Sequence, residues 1–535
     1  KWLAYVFSAA NTFSQIMIYN IADKSKTVLT DDRVNSANPT WDPNGKWLYF
    51  LSDRTFNSLV PAPWGAYQPE PFFNRTTNIY AIALQKGERF PFEPNNELDT
   101  THNGTLKTAG KNGEAANKSG KETQPELKID LNGIQSRISK VPVRSGNYGG
   151  LSMNGNTLFF VERIIDSTPQ LEGLAIGNRD VEIKTIVPDI KGYELSGNGK
   201  KMMVSKGNGI YIINATAEPA KDFAKNAINL SHWTFSYNPQ EEWKKMFVEA
   251  WRLESNYFYD PNLQGVNYEK MLKMYLPLAD RVRDRSELND LIAQIVSELS
   301  ALHTFVGGGD IRTGDQKIQI GSLGAVLVRD EKAGGYEIQH IYQSEPDYIS
   351  ELSPLLKQGV NIHEGDIIQS INGVSVFAVT SPNELLQNQA GRQVLLHLKS
   401  QSSGKEFDAI VTPISQTDEA NLRYSQWEYT RRLTVDSESN NEIGYVHLRA
   451  MGGANYTEWM KQFYPVFNRK GLIIDMRYNR GGNIDSWILE KLLRKAWMYW
   501  KPRAGNPLWN MQYAFIGHIV VLCNEYTASD GEAFT

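Results

Sequence analysis

The chain has 535 residues, of which 41% are hydrophobic and 22% are charged, a balance typical of a globular protein with several packed cores. At about 150 residues per domain, this length predicts roughly three to four domains. Lysine and arginine number 56 and aspartate and glutamate 60, so the net charge of −4 gives no basic excess of the kind that nucleic-acid binding needs. No apolar run is long enough to predict a membrane span.

The single cysteine, Cys523, excludes an intrachain disulfide framework and a cysteine-based zinc site. It ends an apolar run that begins at Ile516 and predicts a buried strand, so we expect a buried and unreactive thiol. No cluster of cysteine, histidine and aspartate has the spacing of metal ligands. We therefore expect neither a metal nor a cofactor.

Residues 1–235 contain a repeated pattern of a tight turn followed by an alternating strand. The pattern occurs at residues 41–50, 153–161 and 196–204, and its strand also matches the segment at residues 1–5. A second strand follows each copy. A period of about 40 to 45 residues with short strands is typical of the blades of a β-propeller. We predict a partial propeller of about four blades.

The long gap between the copy at residues 41–50 and the copy at residues 153–161 predicts an insertion. Residues 93–126 fit this role because they are polar and rich in asparagine, glycine, lysine and threonine. The first repeat begins inside a blade, and a partial set of blades cannot close without exposing sheet edges. We therefore expect further N-terminal sequence before Lys1.

Residues 236–315 have helical periodicity, with apolar side chains at i, i+3 and i+4. Helices are predicted from Glu241, from Tyr268 to Ala279 and from Ser286 to Ala301. The third runs into His303, which three glycines follow at residues 307–309. A histidine at a helix end is commonly a capping or core residue, whereas the glycines indicate close backbone approach and favour a functional role. Both interpretations remain open from the residues alone.

Residues 316–415 predict a strand-rich module. The strings Gly-Asp-Ile-Ile at residues 365–368 and Ile-Asn-Gly at residues 371–373 closely resemble the PDZ family. By that resemblance, the loop that includes Gly321, Leu323 and Gly324 would bind a peptide carboxylate while the peptide adds as a strand to an open edge. The alternative is a rigid spacer that binds no peptide.

Residues 416–535 alternate strands with helices, which predicts a mainly parallel sheet with ligand at the carboxyl ends of its strands. Two loops fall at those ends: one contains Gly481 and Gly482, and the other is the turn at residues 527–532. A serine on a turn between a buried strand and an acidic helix start is where a hydrolase places its nucleophile, so Ser529 is a candidate. The N–H of Asp530 and a glycine N–H would then face one oxyanion.

Each of these two loops also has a structural interpretation. Ser-Asp-Gly-Glu at residues 529–532 is an ordinary helix N-cap with an acidic first turn, and Gly481-Gly482 is a plain tight turn. His447 and His518 fall within predicted strands, where we expect them to belong to the core.

The order of these parts resembles the tricorn protease family, within the clan of C-terminal-processing (tail-specific) peptidases. The chain combines a partial β-propeller, a helical domain ending in a histidine, a PDZ-like domain and an α/β core. That core contains Asp-x-Arg-x-Asn-x-Gly-Gly at residues 475–482 and Ser-Asp-Gly at residues 529–531. The resemblance implies a multidomain serine peptidase that acts on peptides or unfolded protein. It also implies a homo-oligomer and favours a periplasmic or exported location over the cytoplasm.

The resemblance also implies roles for individual residues. Ser529 would be the nucleophile, His303 the general base, and Asp530 with Gly481 and Gly482 the source of the oxyanion N–H groups. Tail-specific relatives use lysine as the base, but no lysine follows Ser529 in this chain, which favours His303.

Two departures from the family pattern matter. The family has a serine directly before the histidine that helps to orient the ring, whereas this chain has Leu302, so another group such as Thr304 would have to fix the tautomer. The family's acidic partner lies downstream of the nucleophile, so we expect part of the active site beyond residue 535. Leu302 also supports the rival hypothesis of a catalytically inactive scaffold that binds peptides through its propeller and PDZ-like domain. A sugar-binding propeller has little support beyond aromatic residues.

Overall fold

The computed structural model describes residues 2–62, 67–94, 127–312, 314, 317–346, 348 and 351–535. It divides into two compact units, Lys1–Thr234 and Phe235–Thr535, which are described separately. The insertion predicted at residues 93–126 lies, apart from its first two residues, outside the described residues.

In the described part of the first unit, the strands form four antiparallel sheets that follow one another along the chain. The first contains β1 (Trp2–Ser8), β2 (Ser14–Asn20) and β3 (Lys26–Val28), and the second contains β4 (Ser36–Trp41), β5 (Trp47–Ser52), β6 (Asn78–Ala83) and β7 (Ile138–Lys140). The third contains β8 (Tyr148–Met153), β9 (Thr157–Glu162), β10 (Gln170–Ala175) and β11 (Ile183–Val187), and the fourth β12 (Gly192–Leu195), β13 (Lys201–Lys206) and β14 (Gly209–Asn214).

Successive sheets pack face to face through the alternating side chains of their inner strands. Every residue of β5 is buried, because its two faces contact different neighbours. Tyr49 shares a hydrophobic core with Phe160 of β9, whereas Phe50 shares another with Ile18 of β2. This arrangement is that of consecutive propeller blades, and it confirms the predicted fold of the region.

The second unit begins with three helices, α1 (Pro239–Tyr257), α2 (Tyr268–Ala279) and α3 (Arg285–Ser297). Each starts at a side-chain cap, supplied in turn by Asn238, Asn267 and Asp284. Their apolar faces meet in one core that includes Phe247, Leu288 and Ile295.

The third helix ends earlier than the sequence predicts. It stops at Ser297 instead of continuing to Ala301, and Ser300 has a φ of 48°, which a right-handed helix cannot accommodate. His303 therefore lies in a loop beyond the helix, with a φ of 67° of its own. The prediction that His303 is at a helix end was wrong.

A mixed module of strands follows, with β15 (Gly321–Ser322), β16 (Ala325–Asp330), β17 (Gly335–Ile341), β18 (Ile367–Ile371), β19 (Val374–Ser375), α4 (Pro382–Leu385), β20 (Val394–Lys399), β21 (Glu406–Val411) and β22 (Ile414–Ser415). The main antiparallel sheet has the order β16-β17-β18-β20-β21, so β16 is an edge strand of the described sheet. Separately, β15 pairs with β22. Ile338, Ile371 and Leu396 lie in the apolar core of this module.

The C-terminal part is an α/β layer. It contains α5 (Gln416–Glu438), β23 (Ile443–His447), α6 (Gly453–Phe463), β24 (Gly471–Asp475), α7 (Asp485–Leu492), β25 (Met498–Trp500), β26 (Leu508–Asn510), β27 (His518–Leu522) and α8 (Asp530–Phe534). The strands β23, β24 and β27 form a parallel sheet in that order, as predicted. Trp459, Phe463 and Ile474 are fully buried in its core.

The last strand differs from its prediction. The run from Ile516 to Cys523 was expected to be buried, yet Val520 is 54% exposed. The reason is that β27 is an edge strand of the described sheet, so an apolar sequence is not covered on all sides. Cys523 and His518 are exposed for the same reason, so the predictions of a buried thiol and a core histidine at these positions were wrong. His447, by contrast, is buried as predicted.

The segment after α7 is not helical. The helix ends at Leu492, and Met498 begins β25, which pairs with β26 as an antiparallel hairpin.

Candidate active site

The Gly481-Gly482 loop and the Ser529 turn lie at the same edge of the parallel sheet. Asp475, the last residue of β24, is in register with Leu522, the last residue of β27. The loop follows Asp475 and the turn follows Leu522, so both emerge from the carboxyl ends of neighbouring strands. This is the edge at which open parallel sheets bind ligands.

Ser529 has a strained backbone, with φ 56° and ψ −125°. Residues other than glycine rarely adopt such values, and they do so mostly where the surrounding structure holds a functional group in place. Ser529 precedes α8, but its side chain makes no capping hydrogen bond to that helix. The hydroxyl is therefore not used as an ordinary N-cap, and the positive φ just before a helix is the backbone conformation in which hydrolases present a nucleophile.

Gly481 touches this turn directly. A Cβ atom at Gly481 would lie 2.5 Å from the Cβ of Ser529 and 2.8 Å from the carbonyl oxygen of Ala528. Its φ of 78° also disfavours any other residue. Gly482 is equally restricted, because a Cβ there would overlap the carbonyl group of Met451. The two glycines thus allow the loop to pack against the turn and against the segment after β23, which a plain tight turn would not require.

The backbone N–H groups of the site are not equivalent. The N–H of Gly481 donates to Oδ1 of Asn479 at 2.8 Å. Among the described residues, the N–H groups of Gly482 and Asp530 donate no hydrogen bond. Asp530 is the first residue of α8, a position whose N–H has no partner within a helix. Gly482 in the glycine loop and Asp530 in the Ser529 turn therefore carry N–H groups that have no acceptor in the described structure.

Two groups that the sequence analysis did not single out hold the site together. Asn479 is fully buried. Its side-chain Nδ2 donates to the backbone carbonyl of Leu448 at 2.8 Å, and its backbone carbonyl accepts the N–H of Ala528 at 2.9 Å. The Asp530 carboxylate accepts the N–H groups of Ile484 at 2.9 Å and Asp485 at 3.1 Å, at the start of α7. The signal for Asn479 was present in the Asp-x-Arg-x-Asn-x-Gly-Gly string.

His447 is the last residue of β23, and its side chain is buried. Its Nδ1 lies 2.7 Å from the carbonyl oxygen of Asp475, and its Nε2 lies 3.0 Å from the hydroxyl of Tyr424. A carbonyl only accepts, so Nδ1 carries the proton and Nε2 accepts from Tyr424. Burial lowers the pKa of His447 to about 4, so its ring is neutral at neutral pH and structural in role.

The carboxylate of Asp475 is fully buried at the end of β24. Burial acts to raise its pKa, but hydrogen bonds from Arg477 and from the Tyr445 hydroxyl outweigh burial, so the pKa lies below its ordinary value. The ionised carboxylate fixes Arg477 and thereby the first residues of the glycine loop. Nearby, Glu428 pairs with Arg449, yet burial raises the pKa of its carboxyl.

His303 is exposed in the loop that follows α3. Its ring stacks on that of Phe305 with the centroids 6.2 Å apart, and the described structure gives it no hydrogen bond to Ser529. Leu302 is 76% exposed and offers no polar group to the ring. The Thr304 hydroxyl, the suggested replacement, donates to the carbonyl of Ala301 at 3.2 Å.

A cavity of about 760 Å³ is lined by residues of α5, β23 and α6, including Glu428 and His447, but neither Ser529 nor His303 is part of its lining. Gly321 and Leu323 of the PDZ-like loop line a smaller cavity with α4, whereas Gly324 is not part of its lining. Within the described ranges, no group of three or more His, Cys, Asp or Glu side chains is placed to hold a metal ion. Among the helices described, none has the length and apolar character needed to traverse a bilayer.

Family models match four successive parts of the chain. Residues 1–216 match the tricorn protease second beta propeller domain and residues 239–297 the tricorn protease C1 domain. Residues 321–416 match the tricorn protease PDZ domain, and residues 442–535 match peptidase family S41. The four matched domains occur along the chain in the order that the sequence predicts.

Individual relatives are similar along nearly all of this chain. Tricorn protease homolog 1 of Streptomyces coelicolor is 27% identical over 553 residues, which cover 99% of this chain and 50% of that protein. The tricorn protease of Thermoplasma volcanium is 24% identical over 552 residues, which cover 100% of this chain and 50% of that protein. A crystal structure of the tricorn protease superposes with a TM-score of 0.79 at 22% identity, covering 100% of this chain and 50% of the other. The chain therefore spans about half the length of these relatives.

Proposed function

Because the chain belongs to the tricorn protease family, we propose that the full-length protein is a serine peptidase that hydrolyses peptides or unfolded segments of proteins. Ser529 is the nucleophile and His303 is the general base. The N–H groups of Gly482 and Asp530 bind the oxyanion, and Gly481 shapes the loop that presents them. By the same family relation, we propose that the protein acts as a homo-oligomer.

The reaction follows from these roles. The Oγ of Ser529 attacks the carbonyl carbon of the scissile peptide bond while His303 takes the hydroxyl proton. The carbonyl oxygen becomes an oxyanion that accepts hydrogen bonds from Gly482 and Asp530, each worth roughly 10²–10³-fold in rate. His303 then protonates the leaving amine, and a water molecule, deprotonated by the same ring, hydrolyses the acyl-enzyme.

One observation carries this proposal: the backbone of Ser529 is held at φ 56° by a loop that only glycine could form. Strain of this kind costs of order 1–3 kcal/mol and persists where the structure around it enforces it. Here Gly481 packs against the Cβ of Ser529, and Asn479 and the Asp530 carboxylate fasten the two loops to the sheet and to α7. This framework holds the Cβ of Ser529 against the glycine loop, which supports the proposed use of the Gly482 and Asp530 N–H groups as oxyanion donors.

A second candidate is a catalytically inactive scaffold that binds peptides. It is favoured by the loop around His303, where Leu302 supplies no polar group and the ring makes no hydrogen bond to Ser529 in the described structure. For the peptidase, the loop must bring His303 within hydrogen-bond reach of Ser529 when substrate binds, a distance that is commonly longer in unliganded enzymes.

The test is hydrolysis of fluorogenic casein by the full-length protein and by its Ser529→Ala variant. We expect the variant to lose activity by at least about 10³-fold, because no other group in the site replaces the nucleophile. Ser486→Ala is the matched control, since Ser486 is exposed on α7 and its hydroxyl bonds only to Asp485. Casein binding without turnover by the unmodified protein would instead support the scaffold, and equal activity of Ser529→Ala would reject Ser529 as nucleophile.

A further inference from the structure

The PDZ-like module contains a groove between β16 and α4. A cavity of about 270 Å³ lies along it, lined by Leu327 of β16, Asn383 of α4 and the loop that begins at Gly321. In the described sheet β16 pairs with β17 on one side only, so its other backbone edge faces the groove. An extended peptide could therefore add to β16 as a further strand.

Several backbone groups of the loop at the head of the groove are already hydrogen-bonded. The N–H of Gly324 donates to Oγ of Ser322 at 3.0 Å, and the N–H of Gly321 donates to the carbonyl of Leu386 at 2.9 Å. The carbonyl of Gly324 accepts the hydroxyl of Ser353 at 3.0 Å. A terminal carboxylate needs several free N–H groups at this point, so binding one would require the Ser322 contact to break.

The loop also packs against Ser353 and α5, and this packing restricts its movement. A Cβ at Gly324 would lie 2.7 Å from Oγ of Ser353 and 3.1 Å from a methyl group of Leu422 on α5. In addition, β15 pairs with β22, the strand that leads directly into α5. The loop therefore keeps its shape because the start of α5 supports it.

The first turn of α5 also places a negative charge at the head of the groove. Gln416 and Glu419, from the first turn of α5, line the cavity, and among the described residues of its lining Glu419 is the only Asp, Glu, Lys or Arg. The positive end of the α5 dipole is already balanced, because Asp418 closes a capping box with Ser415. A carboxylate at the loop would meet Glu419 without a compensating cation in the lining.

We propose that this groove binds an internal segment of a polypeptide, with a lysine or arginine side chain next to Glu419, and that it rejects a free C-terminal carboxylate. The strand edge of β16 supplies the backbone contacts, and Glu419 selects the charge. An internal segment suits the groove because its chain continues past the loop through a neutral peptide bond, where a C-terminus would place a carboxylate. The inference stands independently of the catalytic role of Ser529.

The experiment uses the full-length Ser529→Ala protein, so that bound peptides stay intact. Two phage libraries display the same random decapeptides, one with a free C-terminus and the other followed by a neutral glycine-serine spacer. We expect enrichment of basic sequences from the spaced library. The enriched peptide is then synthesised with a fluorophore as a free acid and as an amide, and we expect the amide to bind about tenfold more tightly in fluorescence anisotropy.

Variants locate the effect. Glu419→Gln should bring the two dissociation constants to within about threefold of each other, whereas Glu438→Gln, a charge removal at the exposed far end of α5, should leave the preference unchanged. Asn383→Trp, at an exposed position that lines the groove, should abolish binding of both forms. Tighter binding of the free acid, enrichment of neither library, or binding that survives Asn383→Trp would overturn the inference.

Discussion

Gly481 and Gly482 illustrate at the residue scale what a sequence does and does not specify. Both were predicted to lie beside Ser529 and to supply N–H groups. The structure places Gly481 against the Ser529 turn, where its N–H is engaged by Asn479, whereas the N–H of Gly482, the next residue of the loop, has no acceptor in the described structure. Which donor is available depends on a side chain two residues away and on the direction of each peptide plane, and neither is encoded in a Gly-Gly pair.

The close contact of Gly481 with Ser529 leads to a prediction. Gly481→Ala should reduce hydrolysis of casein by about 10²-fold or more, because the new methyl group must displace the nucleophile or the oxyanion donor Asp530. Gly373→Ala is the matched control: Gly373 has the same φ of 78°, but a Cβ there meets nothing within 4 Å.

The two variants carry similar backbone strain, so both should lose a comparable amount of stability, about 1 kcal/mol. Their activities should differ, because only Gly481→Ala adds a clash at the site. Equal activities of the two variants would show that the contact between the glycine loop and the Ser529 turn has no catalytic importance.

At the scale of elements, the parallel core strands were predicted well and their environment less well. The apolar runs of β23, β24 and β27 indicate strands, and their alternation with helices fixed the parallel order. Burial of β27 was predicted from the same apolar run, but Val520 and Cys523 are exposed because the strand lies at an edge of the described sheet. Position in a sheet arises from long-range pairing, which local hydrophobicity does not report.

Strand β23 should show a pH-dependent stability that originates in His447. The folded pKa of about 4 lies below the ordinary 6.5, so between these values the open state binds more protons than the closed state. Stability of the strand therefore falls as the pH decreases through this window. Hydrogen exchange with mass spectrometry, corrected for intrinsic exchange rates, measures the free energy of opening of the β23 amides. The contribution of His447 should make this free energy about 2 kcal/mol smaller at pH 5 than at pH 7.

His447→Gln separates this effect from Glu428, which faces the same ring and whose raised pKa acts in the opposite direction. The variant should lose the His447 contribution, and the difference between the two proteins isolates it. Strand β20 is an internal comparison, because the hydrogen bond that the His397 ring donates to the Asp408 carboxylate raises the pKa of His397 and should preserve protection as the pH falls. An unchanged pH response of β23 in His447→Gln would contradict the assignment.

For the whole molecule, the order of the parts could be predicted because each has its own local pattern. The propeller follows from turn-and-strand repeats, and the α/β core from alternating strands and helices. The approach of His303 to Ser529 could not be predicted in this way, because the two residues lie far apart in the chain and their meeting depends on loop conformation. The early end of α3 at Ser297 makes that loop longer than the sequence indicated.

The most direct test of the account is the rate at which a fluorophosphonate labels the full-length protein, with the modified residue located by peptide mass spectrometry. We expect an adduct on Ser529 and a decrease of about 10²–10⁴-fold in the labelling rate of His303→Gln. His363→Gln, which changes an exposed histidine of the PDZ-like module, should label at the original rate. An adduct on a different residue, or a His303→Gln variant that reacts as fast as the unmodified protein, would contradict it.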